Sequence, residues 1–169
     1  MTLLHIDLCC GIGGWQAPFE EASNWHTIGM DIREGLSPDI VGDVRQPPLT
    51  ACEPTLVTAS PPCTQFSRFD MPWYSDVDPD LALVEACLDT IEYLAPEWWV
   101  LENVRGLHRV WQPATNWSGP WYLWGDYPPL DLPTGLPTKD THSGEMADRR
   151  AKVPFALADS LRYAVETWG

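Results

Sequence analysis

Short apolar runs, separated by turn residues and by two amphipathic stretches, organise this chain. Leu3 to Leu8 reads as a buried strand, followed by the turn Gly11-Ile12-Gly13-Gly14 and a short helix from Trp15 to Ala22. Trp25 to Asp31 predicts a second strand, and Asp39 to Val44 a third, short one that Gln46-Pro47-Pro48 breaks. Leu56 to Ala59 predicts a fourth. Leu81, Val84, Leu88 and Ile91 recur at helical spacing, which places one apolar face on a helix from Asp80 to Leu94. Asp78-Pro79 suits its start and Pro96 its stop. Trp98 to Leu101 is a further apolar strand, and a closing helix runs from Pro154 to about Glu166 with Leu157, Leu161 and Val165 as its buried stripe. Short buried strands alternating with helices predict an α/β protein with a Rossmann-like, doubly wound, mostly parallel sheet.

The pattern changes from about 107 to 141. Pro113, Pro120, Pro128, Pro129, Pro133 and Pro137 interrupt any regular element, while Trp111, Trp117, Trp121 and Trp124 alternate with Tyr122 and Tyr127. We expect an ordered loop region pinned by aromatics, with one short strand at Trp121 to Trp124. Exposed tryptophans can stack a flipped base or a single strand. At this density they more often belong to a core, and that reading is preferred. No repeat or second domain is evident, so residues 1–169 are expected to form one domain.

Composition narrows the class. The 169 residues are 44% hydrophobic and 20% charged, an ordinary globular balance. No apolar run reaches the length of a membrane span, and the start Met1-Thr2-Leu3-Leu4-His5 carries no basic leader, so a cytoplasmic protein is expected. The cysteines are Cys9, Cys10, Cys52, Cys63 and Cys87, an odd number with no Cys-x-x-Cys pair, which argues against a disulfide framework or a zinc ribbon. His5, His26, His108 and His142 show no metal-ligand spacing and are read as structural or surface residues; no metal is expected. The net charge is −14, from 24 acids against 10 bases, which runs against the basic footprint of most DNA-binding proteins.

The chemistry concentrates in three places. Ser60-Pro61-Pro62-Cys63-Thr64-Gln65-Phe66-Ser67 follows the fourth strand, and its two prolines stiffen the loop that carries Cys63. A stiff loop at a strand end is a place to mount a nucleophile, although an isolated cysteine beside a turn is more often a buried structural one. Asp7-Leu8-Cys9-Cys10-Gly11-Ile12-Gly13-Gly14 is a strand running into a glycine turn, where backbone amides can approach a ligand closely. Asp31 ends the second strand 17 residues after Gly14, the position from which a carboxylate can accept both hydroxyls of a ribose. Asp43 ends the third, within reach of an adenine amino group. Two strand-end acids alone could be solvated caps; with the glycine turn they form an adenosine-binding set.

In this order the motifs resemble those of the DNA (cytosine-5) methyltransferases. Asp7 to Gly14 is similar to the family's first motif, with Cys9 where phenylalanine is usual; Asp31 with Ile32 and Asp43 with Val44 are similar to the second and third. Ser60-Pro61-Pro62-Cys63-x-x-Phe66-Ser67 resembles the nucleophile motif, Glu102-Asn103-Val104 the Glu-Asn-Val motif, and Ala151-Lys152-Val153-Pro154 the C-terminal motif that folds back on the cofactor site. The resemblance implies a class I S-adenosylmethionine-dependent methyltransferase fold, with S-adenosylmethionine as cofactor. It implies catalytic roles for Cys63, adding at C6 of cytosine, and for Glu102, hydrogen-bonding or protonating N3. Burial of Glu102 beside Trp98, Trp99, Val100 and Leu101 is expected to favour its protonated form. Cofactor contacts are implied for Asp7, Cys9, Gly11, Ile12, Gly13, Gly14, Asp31, Ile32, Asp43, Val44, Pro61 and Val153. Substrate contacts are implied for Ser60, Pro62, Phe66 and Ser67, while Asn103 is expected to orient the loop rather than touch the base.

The sequence also departs from the family. About 45 residues separate Val104 from Ala151, too few for a separate target-recognition domain, so the chain reads as a minimal, phage-type member. The family's Gln-x-Arg-x-Arg motif is not evident; Arg149 and Arg150 could supply a cation to the cytosine O2 or to a phosphate, or be a solvated pair. Ala151 stands where asparagine is usual. The expected substrate is deoxycytidine in DNA, with a protein partner possible for grip. A free cytidine nucleotide is the alternative that the charge favours, and a non-catalytic acidic binding protein that keeps the fold is the rival from another class.

Overall fold

The structure, a computed structural model, describes residues 2–67, 78–137, 149 and 151–168. The elements in chain order are β1 (Leu3–Leu8), α1 (Gln16–Glu21), β2 (Trp25–Asp31), β3 (Ile40–Val41), β4 (Leu56–Ala59), α2 (Thr64–Ser67), α3 (Ala82–Leu94), β5 (Trp98–Asn103), α4 (Arg105–Val110), β6 (Asn116–Ser118), β7 (Trp121–Asp126) and α5 (Phe155–Thr167). The seven strands form one sheet in the order β3-β2-β1-β4-β5-β7-β6. Strands β1 to β5 pair in parallel, and β7 lies antiparallel between β5 and β6. This is the mixed, mostly parallel α/β architecture that the alternation of elements predicts.

A parallel sheet needs cover on both faces, and period-two alternation supplies two cores. Ile6, Leu8, Val57 and Leu101 face one way and pack with Val84, Cys87, Ile91 and Leu94 of α3, together with Phe66 and Leu107. Leu56, Val100, Trp121 and Leu123 face the other way and meet Phe19 of α1 and Leu157, Leu161 and Val165 of α5. Each fully buried side chain of this kind contributes roughly 1.5–3 kcal/mol. Trp25 Nε1 donates to Glu166 Oε1 at 2.6 Å and so ties β2 to the end of α5. No helix among the described residues is long and apolar enough to cross a membrane.

The aromatic region differs from expectation. It holds a hairpin: β6 is a second strand, β7 extends to Asp126, and Gly119 at φ 55 makes the turn between them. The Gly119-Pro120 step that reads as a breaker is that turn, and Pro120 stands just outside the ladder, where a missing amide costs nothing. Trp121 and Trp124 are core, but Trp117 is 56% exposed. Helices α2 and α4 were also not expected, and the third strand shrinks to Ile40–Val41.

Candidate active site

The order reverses between β1 and β4: β2 and β3 extend the sheet to one side, β4 and β5 to the other. Ligand sites in open α/β sheets form at such a switch point, beyond the carboxyl ends of the strands. A cavity of about 620 Å³ opens there, within the size range of small-molecule sites.

The glycine turn forms one wall. Gly11 and Gly13 have φ of 57° and 70°, which glycine tolerates without strain, and Gly13 N donates to Cys10 O at 2.9 Å to close the turn. Cys9 also sits at positive φ, 55°. Gly11 N donates to Asp31 Oδ2 at 2.9 Å, so the acid at the end of β2 braces the turn after β1. The backbone amide of Arg33 donates to Asp31 Oδ1 at 2.9 Å, and its guanidinium to the same oxygen at 3.3 Å. Asp43 accepts from the backbone and the guanidinium of Arg45, whose bond to Nη2 is 2.5 Å, and this bonding holds its carboxyl down at about 2. Ile32 and Val44, each following its acid, line the cavity with Trp15 and Met30. Each carboxylate oxygen has two lone pairs, so Asp31 Oδ2 can accept a ligand hydroxyl beside the Gly11 amide. Apolar walls and two acids, one ending β2 and one just beyond β3, fit an adenosyl group.

The loop from Ser60 to Cys63 forms the facing wall. Ser60 N donates to Leu8 O at 3.1 Å, and Ser60 Oγ accepts from Trp15 Nε1 at 3.0 Å. Asn103 Nδ2 donates to Pro61 O at 2.9 Å, while Asn103 Oδ1 accepts from Val104 N at 2.9 Å. The carbonyl of Cys63 accepts from the amides of Phe66 and Ser67 and from Ser67 Oγ, so α2 starts at once after the cysteine. Phe66 is buried, and a side chain at Gly106 of α4 would collide with its carbonyl, so α4 packs directly against α2. Cys63 is half-buried, Glu102 is 3% exposed, and both line the cavity with Ser60, Pro61 and Pro62.

The third wall comes from Ala151, Lys152 and Val153. A Cβ at Gly14 would lie 2.5 Å from Val153 N, so only glycine lets this segment rest on the turn. Cys9 and Cys10 also reach the cavity, but they stay thiols at neutral pH. A 4.0 Å contact with Cys87, then burial, raises Cys9; burial raises Cys10.

Several expected positions lie elsewhere. Asp7 is wholly buried beneath the turn, where Thr58 Oγ1 donates to its Oδ1 at 2.8 Å. His5 joins this chain, with Nε2 2.8 Å from Thr58 Oγ1 and Nδ1 2.8 Å from Thr27 Oγ1. Burial pushes Asp7 up to about 8 and His5 down to about 3. Gly13, Phe66, Ser67 and Asn103 likewise do not line the cavity; they shape the two loops that do. Arg149 is exposed and off the cavity, and Arg150 lies outside the described residues. Sequence reading missed Arg33, Arg45 and Lys152, which line it. The signal was present in Asp31-Ile32-Arg33 and Asp43-Val44-Arg45, the same Asp-aliphatic-Arg step at two strand ends.

No family model matches the chain. Over 59 residues, 32% of its length, it is 37% identical to the type II methyltransferase M.SacI of Streptomyces achromogenes, and that stretch spans 15% of the relative. Among solved structures, the Dnmt2 methyltransferase of S. pombe aligns over 66% of this chain and 37% of its own, at 21% identity and a TM-score of 0.46. The Entamoeba histolytica methyltransferase EhMeth aligns over 66% and 41%, at 18% identity and a TM-score of 0.46.

Proposed function

We propose that this chain is an S-adenosylmethionine-dependent methyltransferase acting at C5 of cytosine, with Cys63 as nucleophile and Glu102 as its acidic partner. The observation that carries the reading is the convergence of four groups on one cavity. Asp31 and Asp43 stand at its cofactor side, and Cys63 and Glu102 come from the ends of β4 and β5. The local likeness to M.SacI supports methyl transfer, and with it S-adenosylmethionine as the donor.

When bound, that cofactor supplies an electrophilic methyl carbon. Asp31, braced by the Gly11 amide, would hold its ribose, Ile32 and Val44 its adenine faces, and Asp43 the adenine amino group. C5 of cytosine is a weak nucleophile. The Cys63 thiolate forms a bond to C6, which moves electron density to C5, and Glu102 hydrogen-bonds N3 to accommodate the charge. Transfer of the methyl to C5 would break its bond to the donor's sulfonium sulfur and leave a neutral thioether; loss of the C5 proton to solvent would then let the Cys63 sulfur depart from C6 as thiolate and restore the aromatic ring. Asn103 and the prolines hold the loop that carries the sulfur, which restricts where it can stand before substrate arrives.

The favoured substrate is deoxycytidine in DNA, on the sequence resemblance. A net charge of −14 favours a second reading, a free cytidine nucleotide, because it opposes polyanion binding. The deciding assay offers labelled S-adenosylmethionine with duplex DNA, single-stranded DNA, dCMP and dCTP to the wild type and to Cys63→Ser. Transfer to a polynucleotide that disappears in Cys63→Ser is expected. Transfer to mononucleotides alone would remove DNA as substrate. Cofactor binding without transfer to any acceptor would remove the enzymatic reading and leave a non-catalytic binding protein.

A further inference from the structure

One residue in seven of this chain is acidic, yet none occurs between Glu102 and Asp126. Within that stretch lie Arg105, His108 and Arg109. The charge of this stretch is therefore opposite in sign to the chain's, and all three residues lie on α4. Arg105 and Arg109 are four apart on α4, which places them on one side of the helix, and both are exposed.

Beside them stands an aromatic stack. Trp117 and Tyr122 are paired across β6 and β7, with ring centroids 6.0 Å apart and planes 13° from parallel. His108 meets Tyr122 edge-on at 5.4 Å and Trp117 at 6.3 Å. Its ring is fixed by the Ala114 amide, which donates to Nδ1 at 3.0 Å. Tyr122 is half-buried, and Trp117 is 56% exposed. The stack is close to the candidate chemistry: Tyr122 is the ladder partner of Asn103, and Glu102 is the next residue along β5.

We infer that Trp117 is a stacking platform for a nucleobase of the strand that carries the target cytosine, with Arg105 and Arg109 holding that strand's phosphates. A ring backed by a second ring and braced by a third is a rigid π face of the kind that takes any base, whatever the sequence. An apolar protein partner would not require the neighbouring cations; a polyanion does. The platform also offers a way for so acidic a chain to grip a nucleic acid: through aromatic stacking beside the cations of α4. This inference rests on the reading that the substrate is a polynucleotide.

The test measures binding of a short fluorescein-labelled, single-stranded oligonucleotide with one cytosine by anisotropy, using the full chain. Trp117→Ala is expected to weaken binding about tenfold and Trp117→Phe much less. Arg105→Ala with Arg109→Ala is expected to lower the slope of log affinity against log salt by about 1.4. Binding of S-adenosylmethionine and of dCMP should be unchanged in every variant, which serves as the folding control. Wild-type affinity in Trp117→Ala would overturn the platform while leaving a DNA substrate standing. Failure of the wild type to bind the oligonucleotide, with dCMP still methylated, would overturn both.

Discussion

The side-chain amide of Asn103 donates to the carbonyl of Pro61 at 2.9 Å, so the strand that carries Glu102 also fixes the loop that carries Cys63. Asn103 is 1% exposed, and its own oxygen accepts the Val104 amide. Asn103→Ala leaves the buried Pro61 carbonyl without a partner, at a cost of about 1–3 kcal/mol. The expected result is a fall in kcat with little change in KM for S-adenosylmethionine, since the bond holds the nucleophile side. A variant that loses cofactor affinity and turnover equally would show that Asn103 supports the whole fold rather than the loop.

The buried pair Asp7 and His5 predicts a pH dependence of stability. Asp7 titrates at about 8 in the fold against 3.8 unfolded, so the folded state holds its proton more tightly. That contribution is full below about 3.8, declines as pH rises and is gone above about 8. His5 works the other way: at about 3 folded against 6.5 unfolded, its contribution is full above 6.5 and is lost as pH falls toward 3. Asp7→Asn removes the first dependence and mimics the protonated acid toward Thr58. Thermal unfolding should show the variant gaining on the wild type by more than about 1 kcal/mol on going from about pH 5 to about pH 9. Parallel stability curves for the two proteins across that range would refute the assignment.

Gly14 and Val153 predict a steric coupling. An added Cβ at Gly14 meets Val153 N at 2.5 Å and Val153 O at 3.0 Å, both backbone atoms that cannot rotate away. Gly14→Ala should therefore displace the segment that walls the cavity, with a destabilisation of about 1–3 kcal/mol and weaker S-adenosylmethionine binding by calorimetry. Gly35→Ala is the control, because nothing lies within 4 Å of its Cβ position. Equal cofactor affinity in both variants would show that the segment plays no part in binding.

Arg45 predicts an electrostatic role at the cofactor side. Its bonds hold the Asp43 carboxyl down at about 2. The pair is solvent-exposed, so Arg45→Ala should hardly change stability. Asp43 should then titrate closer to the ordinary carboxylate range, and cofactor affinity should begin to fall at a higher pH as the solution is acidified. An unshifted acid limb in the affinity profile would remove Asp43 from the binding set.

The sequence revealed those parts of the fold where burial is continuous. Leu3–Leu8, Trp25–Asp31 and Leu56–Ala59 have the expected bounds because central parallel strands read as unbroken apolar runs. Edge elements were hidden. Asn116–Ser118 is three residues with a tryptophan facing solvent, and α4 opens Arg105-Gly106, with the glycine needed for contact with Phe66 rather than for helicity. At the candidate site, Asp43 lies two residues beyond the shortened β3 and Glu102 within the last two residues of β5, whereas the place of Asp31 at the end of β2 and of Cys63 in the loop after β4 followed from the pattern of runs and turns. The direction of Asp7 did not: whether a strand-end acid points at the ligand or at Thr58 depends on the neighbouring strand, which a linear pattern does not contain.

The contact between Gly14 and Val153 joins the first turn of the chain to one of its last elements, and Trp25 to Glu166 repeats the link. On a ribosome, Asp31, Asp43, Cys63 and Glu102 emerge well before Val153. The thiol is therefore made early and enclosed late, and a nascent chain arrested near Asp126 would present Cys63 in an unfinished cavity. The order of synthesis makes the segment around Val153 the step that completes the cavity wall.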